Sequence, residues 1–345
     1  MEKLLDSMAW LAKRDGSVVI GHGPFEESAT PPCDDGVSFY VQNFALQESK
    51  PWKTPKSIER TNIAAMTARF EGTPSLQCEW DRLDAAPFSV VFQEVMASID
   101  SGIFEKTVPV VTETGTSRQS VGPALMAAMT RQSAPLFSYG WLQPDSGFAG
   151  ATPELLFSIE GTRLETMALA GTARSEDRQV FAVDEKEIRE HEYVAKTLAT
   201  KLLDLGRIER CSREILDLGS IVHFLTTIAL ELPSPQTPED LLRRLHPTPA
   251  LGPLPRNTET LAMLLDWRDR LGCPRQFGAP FGLWDRGGFH AVVAIRGIWW
   301  EGKKVTLPAG CGVIEASRLV NEWRELRLKR EAVKSFLLLP KSRNP

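Results

Sequence analysis

The last third of the chain restricts the possible folds most. Three apolar runs, "APFGLWD", "FHAVVAIRGIWW" and "KKVTLPAGCGVI", stand between helix-like segments at 257–271 and 320–338 and read as successive antiparallel strands. Two earlier stretches carry the same signal: "PLFSYGWL" at 135–142, and "ELLFSIEGTRLETMAL", where Glu160-Gly161-Thr162 supplies a hairpin turn. Helical patterning marks "PFSVVFQEVMASIDSG", ending near Gly102, then "ALMAAMTRQ" and residues 184–205. Strand clusters alternating with long helices, without regular βαβ spacing, predict an α+β fold. Trp284, Trp299 and Trp300 are expected to pack within it. The N-terminal "MEKLLDSMAWLAKRDGSVVIGHGP" reads as an amphipathic helix followed by a turn at "GHGP" around His22. Residues 47–62, rich in proline and charge, read as a long surface loop.

A length of 345 residues suits one large domain or two, and either can bury a sizeable core. With a formal net charge of -4 the chain has no general attraction for nucleic acid or an anionic membrane, so small-molecule chemistry is expected. The five cysteines, Cys33, Cys78, Cys211, Cys273 and Cys311, are scattered and form no C-x-x-C pair. That pattern argues against a disulfide framework or a zinc site and for a reducing, cytoplasmic setting. No run approaches the ~18 apolar residues that span a bilayer. Glu2 and Asp6, and the lack of an unbroken apolar stretch, set the start apart from a signal peptide.

Two acidic helices carry the chemistry. In "DEKEIREHEYV", helical spacing puts Glu187, Glu190 and His191 on one face. A single His rules out the two-His zinc helix, and two readings stand: a solvated surface with Glu185–Arg189 as an i, i+4 pair, or carboxylates reserved for a metal. The second helix, "NEWRELRLKREAVKSF", places Glu322, Glu325 and Lys329 on one face. Just before it, "PAGCGVIEAS" has Gly310 and Gly312, which permit close backbone approach to an anion. "VAIRG" puts Arg296 at the end of an apolar strand, where an unpaired guanidinium is costly. Arg296, Lys329 and glycine amides are a sensible set of carboxylate binders. With two acidic helices they suggest an acidic substrate bridged by a metal, and oxygen ligands favour Mg²⁺.

Eight segments come in the order of one family: "ATPELLFSIEG", "ALAGTAR", "DEKEIREHEYV", "HPTPALG", "QFGAPFG", "VAIRG", "AGCGVI" and "NEWRELRLK". In these the chain resembles the chorismate-utilising enzymes over roughly residues 90–338, while residues 1–89 are divergent. The resemblance implies a single α+β domain over 1–345, with large antiparallel sheets packed face to face and helices outside. It also implies Mg²⁺ held by Glu190 and Glu325, with Glu187 and Glu322 in support. Arg296, Gly310 and Lys329, with the backbone around Gly171 and Thr172, would hold substrate carboxylates, and His223 would lie near the reacting hydroxyl.

Lys106 matches the general-base lysine of water-using members, where anthranilate synthases typically carry Gln. Ala170 stands where aminodeoxychorismate synthases commonly have a lysine nucleophile. Ala250, Leu251 and Phe277 resemble isochorismate synthases more than salicylate synthases. The implied activity is therefore that of an isochorismate synthase: Lys106 deprotonates a water that adds at ring C2, and Glu154 protonates the departing C4 hydroxyl. Chorismate is the implied partner, with no organic cofactor, no obligatory glutaminase subunit, no nucleic acid and no membrane. A salicylate synthase, which also releases pyruvate, and a catalytically silent chorismate-binding paralogue are the alternatives. Pro109 and Pro308 depart from the family pattern.

Overall fold

Extended apolar runs dominate the computed structural model, which describes residues 7–33, 35–234 and 236–337, and they form seventeen strands in one hydrogen-bonded network. The first half of the chain supplies β1 (Met8–Ala12), β2 (Ser17–Ser28), β3 (Val37–Val41), β4 (Trp52–Asn62), β5 (Cys78–Trp80), β6 (Val110–Ser117), β7 (Phe137–Leu142), β8 (Ser146–Thr152), β9 (Leu155–Glu160) and β10 (Arg163–Arg174). The second supplies β11 (Ile208–Arg210), β12 (Glu214–Asp217), β13 (Ile221–Glu231), β14 (Pro280–Asp285), β15 (Gly288–Val293), β16 (Gly297–Glu301) and β17 (Lys304–Gly310). The helices are α1 (Ile63–Arg69), α2 (Ala86–Asp100), α3 (Val121–Thr130), α4 (Arg178–Phe181), α5 (Glu185–Leu202), α6 (Pro238–Leu245), α7 (Thr258–Arg270) and α8 (Leu319–Leu337).

Every strand pairing is antiparallel, and the hydrogen-bonded order runs β5-β6-β17-β16-β8-β7-β1-β2-β4-β3-β14-β15-β9-β10-β13. β11 and β12 follow one another along the same edge of β13. This ribbon doubles back on itself: Tyr139 of β7 lies 5.6 Å from Phe281 of β14, and Phe148 of β8 lies 5.7 Å from the same ring. The two halves thus meet face to face across a core whose buried members come from strands and their connections, with no helical residue among them. Helices cover the outer faces. α2, α5, α6 and α7 pack against β9, β10, β13 and β15, while α3 and the end of α8 pack against β1, β7, β8 and β16. Both faces of the central strands are therefore buried, and each large side chain removed from water contributes about 1.5–3 kcal/mol.

The expected hairpin at Glu160-Gly161-Thr162 joins β9 to β10, and the five expected helices coincide with α2, α3, α5, α7 and α8. Trp299 and Trp300 are buried, as expected of packing residues. Four expectations fail. Residues 8–28 form the hairpin of β1 and β2, not an amphipathic helix; the part of that helix over residues 1–6 lies outside the described residues. Ala9 and Leu11 face one core while Trp10 and Ala12 face another, so an apolar run that imitates one stripe of a helix is a strand buried on both sides. "GHGP" lies within β2 at a register shift between His22 and Phe25. Most of the expected surface loop is β4, whose buried Trp52 anchors it and whose Lys53, Lys56, Glu59 and Arg60 point away from the core. Finally, "FHAVVAIRGIWW" breaks into β15 and β16 at Arg296, which takes a positive φ of 56°.

The N-terminal strand gives a direct test. A Cβ on Gly140 of β7 would stand 2.2 Å from the Trp10 ring. Gly140→Ala is expected to cost about 1–3 kcal/mol by forcing that ring aside, read as a shift of the urea midpoint at constant slope. An unchanged midpoint would mean that Trp10 does not sit over β7.

Candidate active site

The strand ends and the two acidic helices converge on a cleft of about 630 Å³ of empty space, its mouth included. β10 reaches the cleft through Gly171 and Thr172, where its register with β13 shifts between Ala170 and Ala173 and Gly171 adopts a φ of 76°. A Cβ there would lie 3.2 Å from a Glu187 oxygen, and the Thr172 N–H donates to that same oxygen at 2.9 Å. His223 of β13 and Glu154, at the corner between β8 and β9, face the same space. Ala250 and Leu251, following α6, and Phe277, before β14, close its apolar side, together with Pro308. Arg296, Gly310 and Lys329 complete the polar side.

Glu154 is 3 % exposed, and burial pushes its carboxyl up to about 7 against the opposing hydrogen bond from Thr248 and the positive charge of Lys106. Thr248 Oγ1 donates to Glu154 Oε1 at 3.2 Å. Lys106 lies on the segment before β6, where it bridges to Leu254. It is fully buried; its Nζ donates to the Pro249 carbonyl at 2.6 Å and lies 3.2 Å from Glu190 Oε1. Neither is the surface side chain that its local sequence also permits.

His223 has a fixed tautomer. The Gly171 carbonyl can only accept, so Nδ1, 2.6 Å away, carries the hydrogen, and Nε2 accepts from Arg296 Nη2 at 2.8 Å. Burial, followed by the adjacent Arg296 charge, holds the imidazole well below its usual range, so it is neutral. Arg296 is buried too, its guanidinium pushed down to about 10 by desolvation, and its Nη1 has no hydrogen-bond partner among the described residues. That orphan donor faces a cavity able to receive an anion.

The first two turns of α5 and α8 present the carboxylates. Asp184 caps α5 by accepting from the Glu187 N–H, which fixes where the helix begins and hence which way Glu187 and Glu190 point. Burial raises Glu187 to about 7 and Glu322 to about 8, with neighbouring glutamates adding to both shifts. Burial would raise Glu325 as well, but Lys329 and Lys186 hold it below its ordinary value. Lys329 Nζ lies 2.6 Å from Glu325, as the i, i+4 spacing required, and also donates to the Gly310 carbonyl at 2.8 Å. Gly312 makes room for this group, since a Cβ there would lie 2.0 Å from Glu190 Oε1.

Among the described residues, no group of three His, Cys, Asp or Glu side chains converges as a ready-made metal site. The donors nevertheless suit a hard divalent cation: Glu190 Oε2 and both Glu322 oxygens are buried without a hydrogen-bond partner, and every candidate ligand is a carboxylate. His191 does not join them. Its Nε2 lies 2.9 Å from Thr226 Oγ1, on the side facing β13. Glu185 is exposed, and Arg189 pairs with Glu315, so the expected Glu185–Arg189 pair is absent from the ion pairs of the described residues. Two residues escaped the sequence reading. Lys186 was legible as the residue one turn before Glu190, whereas nothing in "HPTPALG" distinguishes Thr248 as the partner of Glu154.

Comparison with known proteins bears on the family and the fold. A family model described as "Chorismate binding enzyme" matches residues 35–338, beginning upstream of the region in which motifs align by eye. Isochorismate synthase MenF of Haemophilus influenzae is 26% identical over 305 residues, covering 85% of this chain and 69% of that protein. The salicylate biosynthesis isochorismate synthase of Pseudomonas aeruginosa is 30% identical over 295 residues, covering 81% of this chain and 59% of that protein. Isochorismate synthase MenF of Bacillus subtilis is 30% identical over 215 residues, 56% of this chain, and the match spans only 43% of that relative. Among solved structures, the menaquinone-specific isochorismate synthase MenF of Escherichia coli has a similar fold, with a TM-score of 0.81 at 20% identity, covering 98% of this chain and 90% of that one. With the family model spanning most of its length and its antiparallel fold shared with these enzymes, the chain belongs to the chorismate-binding enzyme family.

Proposed function

We propose that the protein is an isochorismate synthase, converting chorismate to isochorismate. The observation that carries this reading is a buried carboxyl in the cleft wall, raised to about 7, together with a fully buried lysine just behind that wall, 3.2 Å from the cleft-lining Glu190. Acid and base of this kind suit a displacement in which one hydroxyl enters and another leaves. Lys106 is the base that takes a proton from the water that adds at C2. The ring double bond shifts, the C4–O bond breaks, and Glu154 supplies the proton that lets the hydroxyl leave as water. One water enters and one departs, so the product is an isomer of the substrate.

Arg296 and Lys329 supply positive charge for the substrate carboxylates, and His223 acts on Arg296: its Nε2 lone pair fixes one arm of the guanidinium and leaves the unpartnered Nη1 for an anion. Mg²⁺, held by Glu190 and Glu325 with Glu187 and Glu322 in support, would neutralise a substrate carboxylate and draw charge from the ring. Ala250, Leu251, Phe277 and Pro308 give the ring an apolar wall.

Purified protein incubated with chorismate and Mg²⁺, without ammonia or glutamine, is expected to yield isochorismate on separation of the products. Salicylate with pyruvate would replace this reading by the salicylate synthase. Binding without turnover would leave a chorismate-binding paralogue.

A further inference from the structure

Three lysine side chains stand among the four glutamates of α5 and α8, and they are not held alike. Lys106 is tied to the Pro249 carbonyl and Lys329 to the Gly310 carbonyl, so each has a backbone anchor besides its carboxylate. Lys186 has none. Its Nζ lies 2.9 Å from Glu187, 3.3 Å from Glu322 and 3.5 Å from Glu190, and these carboxylates are its described ion-pair partners. It therefore bridges α5 and α8 through charge alone. Its side chain is also 22% exposed, whereas that of Lys106 is fully buried, so a flexible four-carbon stem has a route to solvent.

We infer that Lys186 is an internal counter-cation that holds the carboxylate cluster together when no metal is bound, and that a divalent cation must displace it. The inference rests on reading these glutamates as metal ligands. Four carboxylates brought together by two helix ends repel one another strongly at low effective dielectric, and an ammonium between them removes most of that cost. The same ammonium occupies the space in which carboxylate oxygens would otherwise turn toward one ion. That accounts for carboxylates gathered 2.9–3.5 Å around the Lys186 Nζ while, among the described residues, no three of them are grouped to hold a metal ion. Displacement makes the ammonium a built-in competitor, so affinity for metal is lower than four carboxylates alone would give. Lys186 touches no reacting atom in this account; it is a positioning residue.

The test uses Mg²⁺ alone, with no substrate, so that its outcome is independent of which product the enzyme makes. Metal binding is read by calorimetry and by melting temperature across a MgCl₂ titration, for wild type and Lys186→Met. The variant is expected to melt several degrees lower without metal and to bind Mg²⁺ at least about tenfold more tightly, because one competing charge is gone. Equal or weaker Mg²⁺ binding by Lys186→Met would overturn the inference, as would the absence of Mg²⁺ binding in both proteins. If Lys186→Met does not fold without metal, Lys186→Met/Glu322→Gln restores the charge balance and is expected to fold and to melt near wild type. A double variant that stays unfolded would show that Lys186 serves packing and would also overturn it. Failure here with isochorismate still produced from chorismate would leave the proposed activity standing.

Discussion

Glu190→Gln is expected to lower turnover of chorismate by about a hundredfold or more, while Glu185→Gln, five residues earlier on the same helix, stays within about a factor of two. Both changes remove one negative charge and preserve side-chain size. They differ in what the carboxylate touches. Glu190 is 4 % exposed, lines the cleft, meets Lys106 and Lys186, and carries an oxygen without a hydrogen-bond partner. Glu185 is exposed on the helix surface. Turnover across a Mg²⁺ titration reads the difference, with melting temperature as the control for folding. The amide oxygen of Gln can still accept from Lys106, so the fold should persist. Equal activity and equal Mg²⁺ dependence in the two Gln variants would return α5 to the status of a charged helix with no part in catalysis.

Glu154→Gln is expected to lower kcat by roughly 10²–10⁴, the usual contribution of a positioned acid. The pH profile separates an acid from a merely structural carboxyl. A carboxyl raised to about 7 keeps its proton at lower pH and loses it as pH rises through that value. Wild-type activity should therefore decline on the alkaline side of neutrality, and the residual activity of Glu154→Gln should lack that limb because an amide does not titrate. Thr248→Val removes the hydrogen bond that opposes the shift, so the alkaline limb should move to higher pH without the large loss of rate. An unchanged profile in Glu154→Gln would assign the general acid elsewhere.

Local patterns in the chain are enough to locate α2, α5, α7, α8 and the β9–β10 hairpin, because their periodicity, caps and turn residues act within a few positions of each other. They also single out the glutamates of two helices separated by more than a hundred residues, since i, i+3 and i, i+4 spacing can be read without knowing the fold. The collinear motifs added the expectation that those glutamates serve one substrate site. What the sequence could not decide were contacts that depend on which strand lies beside which. "MAWLA" looks amphipathic by itself and becomes a strand because β2 and β7 pair with its two edges while two separate cores bury its two faces. "KTPKSIERTN" looks like a loop because β4 turns its charged side chains away from the core. Charge on a helix likewise does not reveal its partner: Arg189 pairs with Glu315 from before α8, and Lys186 turns inward among the glutamates of both helices. Residue type and spacing thus determined the chemical inventory of this protein. Tertiary packing decided which groups lost their water, and with it the raised Glu154, the neutral His223 and the lysine lodged among the carboxylates, because desolvation is set by neighbours distant in sequence.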